Sequence, residues 1–354
     1  MNVSVIGSGN VGMAIAADLS MKGHEVWLIK SSASPSRAYE RLLSNEGMIY
    51  MKEDGAYSGT KLQHMSNDLS DTAKTDVVIV TIQSTYHEDL FKELCKHISS
   101  RQIVIVICSY MSSFYITKFS RDYPTIAEAT GPYIEGRVEL EDIAGQVVFR
   151  VGCRLTRSPL SVFQRERADS CMSKIKQLFS GWSNDYSIIE SALLNPNLVI
   201  HTVGAIMSIP RIEYSHGQFC MYREAYARGN EATMNIMLEL DKEKKSVLQA
   251  LGQRPIDVFE AGGFLGNPME SFYRYSESEQ RAVSPTSVKS RYITEDVSQG
   301  LVLLESIAER IGLRVPVASS LIDISGVALG VDFRQAGRTI EKLEAQLFIN
   351  SLTK

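Results

Sequence analysis

The chain has 354 residues, of which 44% are hydrophobic and 22% charged, with a formal net charge of −4. This is an ordinary globular profile, long enough for two domains, and without the basic excess that would point to nucleic acid. No apolar run approaches the roughly 18 residues needed to cross a bilayer, and five dispersed cysteines without a CxxC pair argue against both a disulfide framework and a zinc site.

The first elements set the fold class. Asn2–Ile6 is a short run rich in β-branched residues that suits a buried strand. It starts so early that no secretory leader is expected, and a reducing cytoplasmic compartment follows as the expectation. Gly7-Ser8-Gly9-Asn10-Val11-Gly12 then gives G-x-G-x-x-G, followed by an apolar helical pattern over Met13–Met21 and a stop at Lys22-Gly23. Glu25–Ile29 is the next strand. A glycine fingerprint at the first strand-to-helix turn of a βαβ unit predicts a dinucleotide site, with Gly7, Gly9, Asn10, Val11 and Gly12 around the pyrophosphate. The free N–H groups at the helix start add a partial positive charge there.

The end of the second strand bears on the cofactor. An acidic residue there would bind the 2′-hydroxyl of NAD. Lys30 and Ser31 occupy that place, with Arg37 shortly after. These residues suit a 2′-phosphate, so NADP is the expected cofactor, with NAD as the alternative.

Further along, Asp54-Gly55 predicts a hairpin over residues 48–63. Asp76–Ile82 and Gln102–Cys108 read as buried strands. Ligands of open α/β sheets lie at the carboxyl ends of strands, which makes Gln83 and Ser84, then Ser109 and Tyr110, candidate cofactor neighbours. His87 begins the following helix, where a structural role is expected. Gln146–Leu155 reads as a further strand and Arg165–Phe179 as an amphipathic helix, completing a doubly wound sheet of six or seven strands near Ser187.

From Ile188 the periodicity is helical almost throughout. Helices are expected at Pro196–Met207 (carrying His201), Gln218–Arg228 and Glu231–Leu251. Residues 255–290 read as irregular, with a polar run at 276–288 that suits a mobile loop over a site. Thr294 looks like the N-cap of a helix that ends at Gly312 and has Val297, Leu301, Leu304, Ala308 and Ile311 on one apolar face. Further helices are expected at 317–329 and 339–352. The organisation is therefore a Rossmann-type α/β domain over 1–187 and an all-α domain over 188–354, with a small-molecule cleft expected between them.

The helical half carries the more specific pattern. RYITEDV at 291–297, LLNPNLVIH at 193–201, LDKEKKSVLQALG at 240–252 and GVDFRQAGRTIEKL at 330–343 resemble the octopine/nopaline (opine) dehydrogenase family over essentially the whole chain. The resemblance implies a C-terminal domain similar to that of 6-phosphogluconate dehydrogenase. It implies reductive condensation of an amino acid with a 2-oxo acid, through an imine reduced by a nicotinamide hydride. It implies His201 as acid/base, Asp296 as its carboxylate partner and Arg291 as the clamp on a substrate carboxylate. Asn197, one helical turn before His201, is a candidate substrate contact, and Tyr214 and Tyr222 are candidate pocket walls. Small-molecule substrates and a homodimer are the partner expectations, with no metal. The alternatives are a ketopantoate-reductase-like oxidoreductase of 2-oxo or hydroxy acids, for which no lysine stands in a matching context, and a non-catalytic NADP-binding sensor.

Overall fold

The computed structural model describes residues 1–140, 146–278 and 284–353. Two compact units divide the chain, Met1–Ser191 and Ala192–Lys354.

The first unit contains strands β1 (Asn2–Ile6), β2 (Glu25–Ile29), β3 (Met48–Glu53), β4 (Ala56–Lys61), β5 (His64–Ser66), β6 (Val77–Val80), β7 (Ile103–Ile107), β8 (Thr125–Ala129), β9 (Ile134–Leu140), β10 (Val147–Arg154), β11 (Ser158–Val162) and β12 (Trp182–Asn184). Its helices are α1 (Asn10–Met21), α2 (Arg37–Ser44), α3 (His87–Leu94), α4 (Ser113–Phe119) and α5 (Ala168–Ile175). Eight strands form one sheet in the order β12-β11-β8-β7-β6-β1-β2-β5. β1 pairs in parallel with β2 on one side and β6 on the other, so the strand order reverses at β1, next to the glycine turn. Such a switch point is where open α/β sheets bind their ligands. The central strands β6 and β7 are wholly apolar and buried, the pattern of a sheet covered on both faces. Val3, Val5, Ile79 and Ile105 have no exposed surface, and each contributes about 1.5–3 kcal/mol by burial.

The expected single sheet of six or seven strands is corrected twice: the main sheet has eight strands, and a second sheet stands beside it in the first unit. The hairpin does form, with Asp54 and Gly55 at φ 49° and 82°. Together with β9 and β10 it builds a separate four-stranded sheet, β4-β3-β10-β9. Gln146–Leu155 is therefore a strand of this second sheet, where β10 runs parallel to β3. An ionic cluster around the buried Asp18 fastens the sheet to the fingerprint helix. Asp18 of α1 accepts from Lys22 Nζ at 2.7 Å, Arg154 Nη1 of β10 at 2.7 Å and the Tyr133 hydroxyl at 2.8 Å.

Helix α6 (Ile188–Leu193) spans the boundary between the units. The second unit then runs through α7 (Asn197–Met207), α8 (Ile209–Ser215), α9 (Met221–Tyr226), α10 (Glu231–Ala250), α11 (Val258–Ala261), α12 (Pro268–Glu277), α13 (Arg291–Glu295), α14 (Val302–Arg310), α15 (Pro316–Leu329), α16 (Phe333–Ala336) and α17 (Gln346–Leu352). Residues 255–290 are less irregular than expected, since Asp257 and Asn267 cap α11 and α12. Of the polar run at 276–288, residues 279–283 lie outside the described residues. The helix expected over 339–352 is confined to α17. No single helix among the described residues is long and apolar enough to cross a membrane.

The helix expected to start after Thr294 begins earlier and changes register. Ser290 precedes it, α13 occupies Arg291–Glu295, and Asp296–Leu301 form a π-helical turn before α14. Thr294 does not cap; its hydroxyl donates back to the Ser290 carbonyl at 3.1 Å. Arg291 is thus the first helical residue, and Asp296 opens the π turn.

Candidate active site

In the first unit the glycine turn has the geometry its sequence requires. Gly7 adopts φ 118°, a conformation that side chains disfavour. A Cβ on Gly12 would lie 1.7 Å from the Gly7 carbonyl oxygen, so only glycine lets helix and strand pack this closely. At Gly9 nothing lies within 4 Å of the Cβ position, leaving room for a phosphate against bare backbone. No side chain caps α1, an arrangement that suits an anion at its first N–H groups. These residues fit a dinucleotide.

The other candidate cofactor residues divide. The Gly7 N–H donates to the Ile29 carbonyl at 2.9 Å, which ties the fingerprint to the end of β2, where Lys30 follows. Ser31 and Arg37 are exposed, and the Lys30 ammonium donates to the Ser32 carbonyl. Asn10 commits its side-chain oxygen to the Val138 N–H of β9 at 2.8 Å, while Val11 is half-buried. Gln83 is exposed just beyond β6, and Ser84 is buried. Tyr110 is buried, and the Ser109 hydroxyl donates to Glu128 at 2.7 Å. His87 is buried at the start of α3, between the Ser112 hydroxyl at 2.7 Å and the Ile82 carbonyl at 3.3 Å, which suits the structural role expected of it.

In the second unit three helices converge on one imidazole. His201, 5% exposed on α7, places Nδ1 3.0 Å from Oδ2 of Asp296, which is 4% exposed. Nε2 lies 3.1 Å from the hydroxyl of Tyr222 on α9. Tyr292 of α13 stacks on the imidazole with ring centroids 3.8 Å apart and planes 8° from parallel. A carboxylate accepts only, so Nδ1 carries a proton and Nε2 is the nitrogen left for acid/base chemistry. The stacked phenol ring fixes the imidazole plane.

Arg291 lies one residue from the stacked tyrosine, its guanidinium 5.9 Å from the Tyr292 ring centroid and 3.9 Å from the carboxylate of Glu295. It is half exposed, whereas Glu295 is buried. Asn197 is the first residue of α7, one turn before His201, and its N–H donates to Asn195. Tyr214 is 84% exposed on α8, so it does not line a buried wall. Sequence reasoning missed Tyr292. It lies four residues before Asp296 on the same helical face, which was the available signal.

A largely parallel sheet with a glycine fingerprint, joined in one chain to a helical unit holding a buried His–Asp pair, defines a dinucleotide-dependent oxidoreductase. Within that class its helical half resembles the opine dehydrogenases. Residues 185–329 match the family model described as "NAD/NADP octopine/nopaline dehydrogenase, alpha-helical domain". Residues 2–110 match that of an "NADP oxidoreductase coenzyme F420-dependent". The chain is 24% identical to an opine dehydrogenase of Arthrobacter sp. (strain 1C), over 96% of this chain and 94% of that protein. Its fold resembles an octopine dehydrogenase solved with NADH and L-arginine, with a TM-score of 0.75, 16% identity and coverage of 100% and 98% of the two chains. A ketopantoate reductase from Ralstonia eutropha is a more distant neighbour in fold, with a TM-score of 0.61, 16% identity and coverage of 95% and 100%. The chain is accordingly an NAD(P)-dependent oxidoreductase of the type acting on CH–NH donors.

Proposed function

We propose that this enzyme condenses the amino group of an amino acid with a 2-oxo acid and reduces the resulting imine, using His201 as acid/base. The observation that carries this is the buried pair of His201 and Asp296 at 3.0 Å, inside the segment that matches the family's helical domain. A nicotinamide dinucleotide bound at the glycine turn supplies the hydride. The rest falls to side chains.

An amino acid arrives as an ammonium ion and must lose a proton before its nitrogen can attack a carbonyl. Neutral His201 takes that proton at Nε2. The carbinolamine then needs its hydroxyl protonated to leave as water, and the imidazolium returns the same proton. One proton is thus cycled through one nitrogen. Asp296 holds the Nδ1 proton, which keeps Nε2 as the reactive site and stabilises the imidazolium between the two transfers. Tyr222 occupies Nε2 before substrate arrives: its hydroxyl donates to the neutral ring and accepts from the charged one.

Arg291 is the proposed carboxylate clamp, because its planar fork matches a carboxylate bidentately. Asn197 is the proposed second substrate contact. Lys30, Ser31 and Arg37 favour NADPH, since none would repel a 2′-phosphate.

A matrix of amino acids against 2-oxo acids, followed by NADPH absorbance and repeated with NADH, tests the assignment. Cofactor oxidation is expected only when amine and oxo acid are both present, with NADPH preferred. Turnover with an oxo acid alone would move the enzyme to the ketopantoate-reductase-like alternative. Tight NADPH binding without turnover of any pair would favour a sensor.

A further inference from the structure

The segment Gly337–Glu341 lies far along the chain from both His201 and Asp296, yet it is laced onto the turn that carries Asp296. The hydrogen-bond shift of a π turn takes carbonyls away from their usual donors four residues on, and such turns recur at functional sites. Here the Ser298 carbonyl accepts instead from the Arg338 N–H at 2.8 Å. The approach is close enough to require glycine at the preceding position. A Cβ on Gly337 would lie 2.5 Å from the Ser298 oxygen and 3.0 Å from Cβ of Val302. The backbone of Gly337 is unstrained at φ −78°, so the requirement is steric.

Side chains tighten the same seam. Arg338 is 1% exposed, and its Nε donates to Oε1 of Gln299 at 2.9 Å. Gln299 in turn donates to the Ser298 hydroxyl at 3.0 Å, and that hydroxyl donates to the Thr294 carbonyl at 2.6 Å. One turn further on, the Ile340 N–H donates to the Ser306 hydroxyl of α14 at 3.0 Å, and Ser306 donates to the Glu341 carboxylate at 3.2 Å. The π turn is therefore held from outside, by backbone, amide and guanidinium together.

We propose that Gly337, Arg338 and Gln299 are positioning residues that hold the π turn in the register placing Asp296 on Nδ1 of His201. The proposal rests on the acid/base reading of that pair and deepens it. Their bonds described above end on the π turn and not on the imidazole. Their effect on rate passes through one carboxylate whose partner is 3.0 Å away, and a small displacement of that carboxylate would break the bond.

The test is a double-mutant cycle. Gln299→Leu should lower kcat by about 10–100-fold, part of the 10²–10⁴ typical of the acid/base itself, with the dissociation constant for NADPH unchanged. In an Asp296→Asn background, Gln299→Leu should cost nothing further, because coupled residues are non-additive. The far-downfield proton resonance of the Nδ1–H···carboxylate bond should weaken or vanish in Gln299→Leu. Gly337→Ala disturbs the same seam without leaving Arg338 short of an acceptor; it should show the same non-additivity and serves if the leucine variant fails to fold. Equal fold-losses in the wild-type and Asp296→Asn backgrounds would overturn the positioning role while leaving the acid/base assignment intact. A wild-type rate in Asp296→Asn alone would overturn both.

Discussion

Replacing Asp296 by asparagine keeps the shape of the side chain and removes its charge. Both members of the pair are almost fully buried, with side chains 6% exposed, so solvent screens them little. At an effective dielectric constant near 20, opposite unit charges separated by the observed 3.0 Å attract by about 5–6 kcal/mol. An asparagine oxygen can still accept the Nδ1 proton, and a neutral hydrogen bond returns about 1 kcal/mol. The imidazolium formed between the two proton transfers is therefore destabilised by about 4 kcal/mol, or about three decades in rate. With both substrates and NADPH saturating, Asp296→Asn should lower kcat by about 10³-fold. Affinity for NADPH should not change, because the glycine turn is untouched. A rate within tenfold of wild type, from a variant with an unchanged melting temperature, would refute the role given to this carboxylate.

Three other variants probe separate parts of the molecule. Gly12→Ala would drive a methyl group into the Gly7 carbonyl and to 2.8 Å from the Thr81 hydroxyl, which is itself bonded to the Ile6 carbonyl. Overpacking of this kind costs about 1–3 kcal/mol, so the melting temperature should fall and the NADPH dissociation constant rise at least tenfold; calorimetry and fluorescence titration that show neither would speak against the fit of the turn. Arg291→Lys should chiefly raise the Michaelis constant of a carboxylate substrate, because the fork is lost, and an unchanged constant would remove the clamp. Asp18→Asn addresses acid stability. Burial raises the Asp18 carboxyl, but the bonds from Lys22 and Arg154, with that of Tyr133, outweigh it and hold it below the ordinary 3.8. A depressed carboxyl contributes stability that is full above the unfolded value and is lost as pH falls through the folded one. The asparagine variant should therefore be less stable than wild type by about 2–3 kcal/mol at pH 7, toward the low end for a broken pair because Lys22 and Arg154 reach solvent. Denaturant unfolding should show that gap closing below pH 4, and a gap independent of pH would contradict the account.

Much of this architecture could be read in advance because its signals are local. The run from Asn2 to Ile29 shows β-branched strands, a helical period and glycines at fixed offsets. His201 and Asp296 were legible only through the RYITEDV and LLNPNLVIH patterns; composition says nothing about two helices meeting. The second sheet was missed because its defining pair, β3 with β10, is non-local, and no property of either strand names its partner. The helix start was misplaced because Thr294 has a capping residue's chemistry but spends its hydroxyl on the turn behind it. The π turn is a matter of hydrogen-bond register, which side-chain identities do not encode one by one. Tyr222 could be named as a pocket candidate, but its bond to Nε2 depends on how α9 packs against α7.

The parallel pairing of β3 with β10, which sets Ile49 opposite Val147, has a consequence for how the chain is made. During synthesis the β3–β4 hairpin leaves the ribosome long before its partner strand does. Until β10 arrives, one edge of β3 presents unsatisfied backbone groups, the type of edge on which chains aggregate. Closing so long a loop is entropically slow. The half-finished sheet is thus the point at which a nascent chain most needs shelter, and substitutions that delay β10 should reduce soluble yield before they alter the finished enzyme.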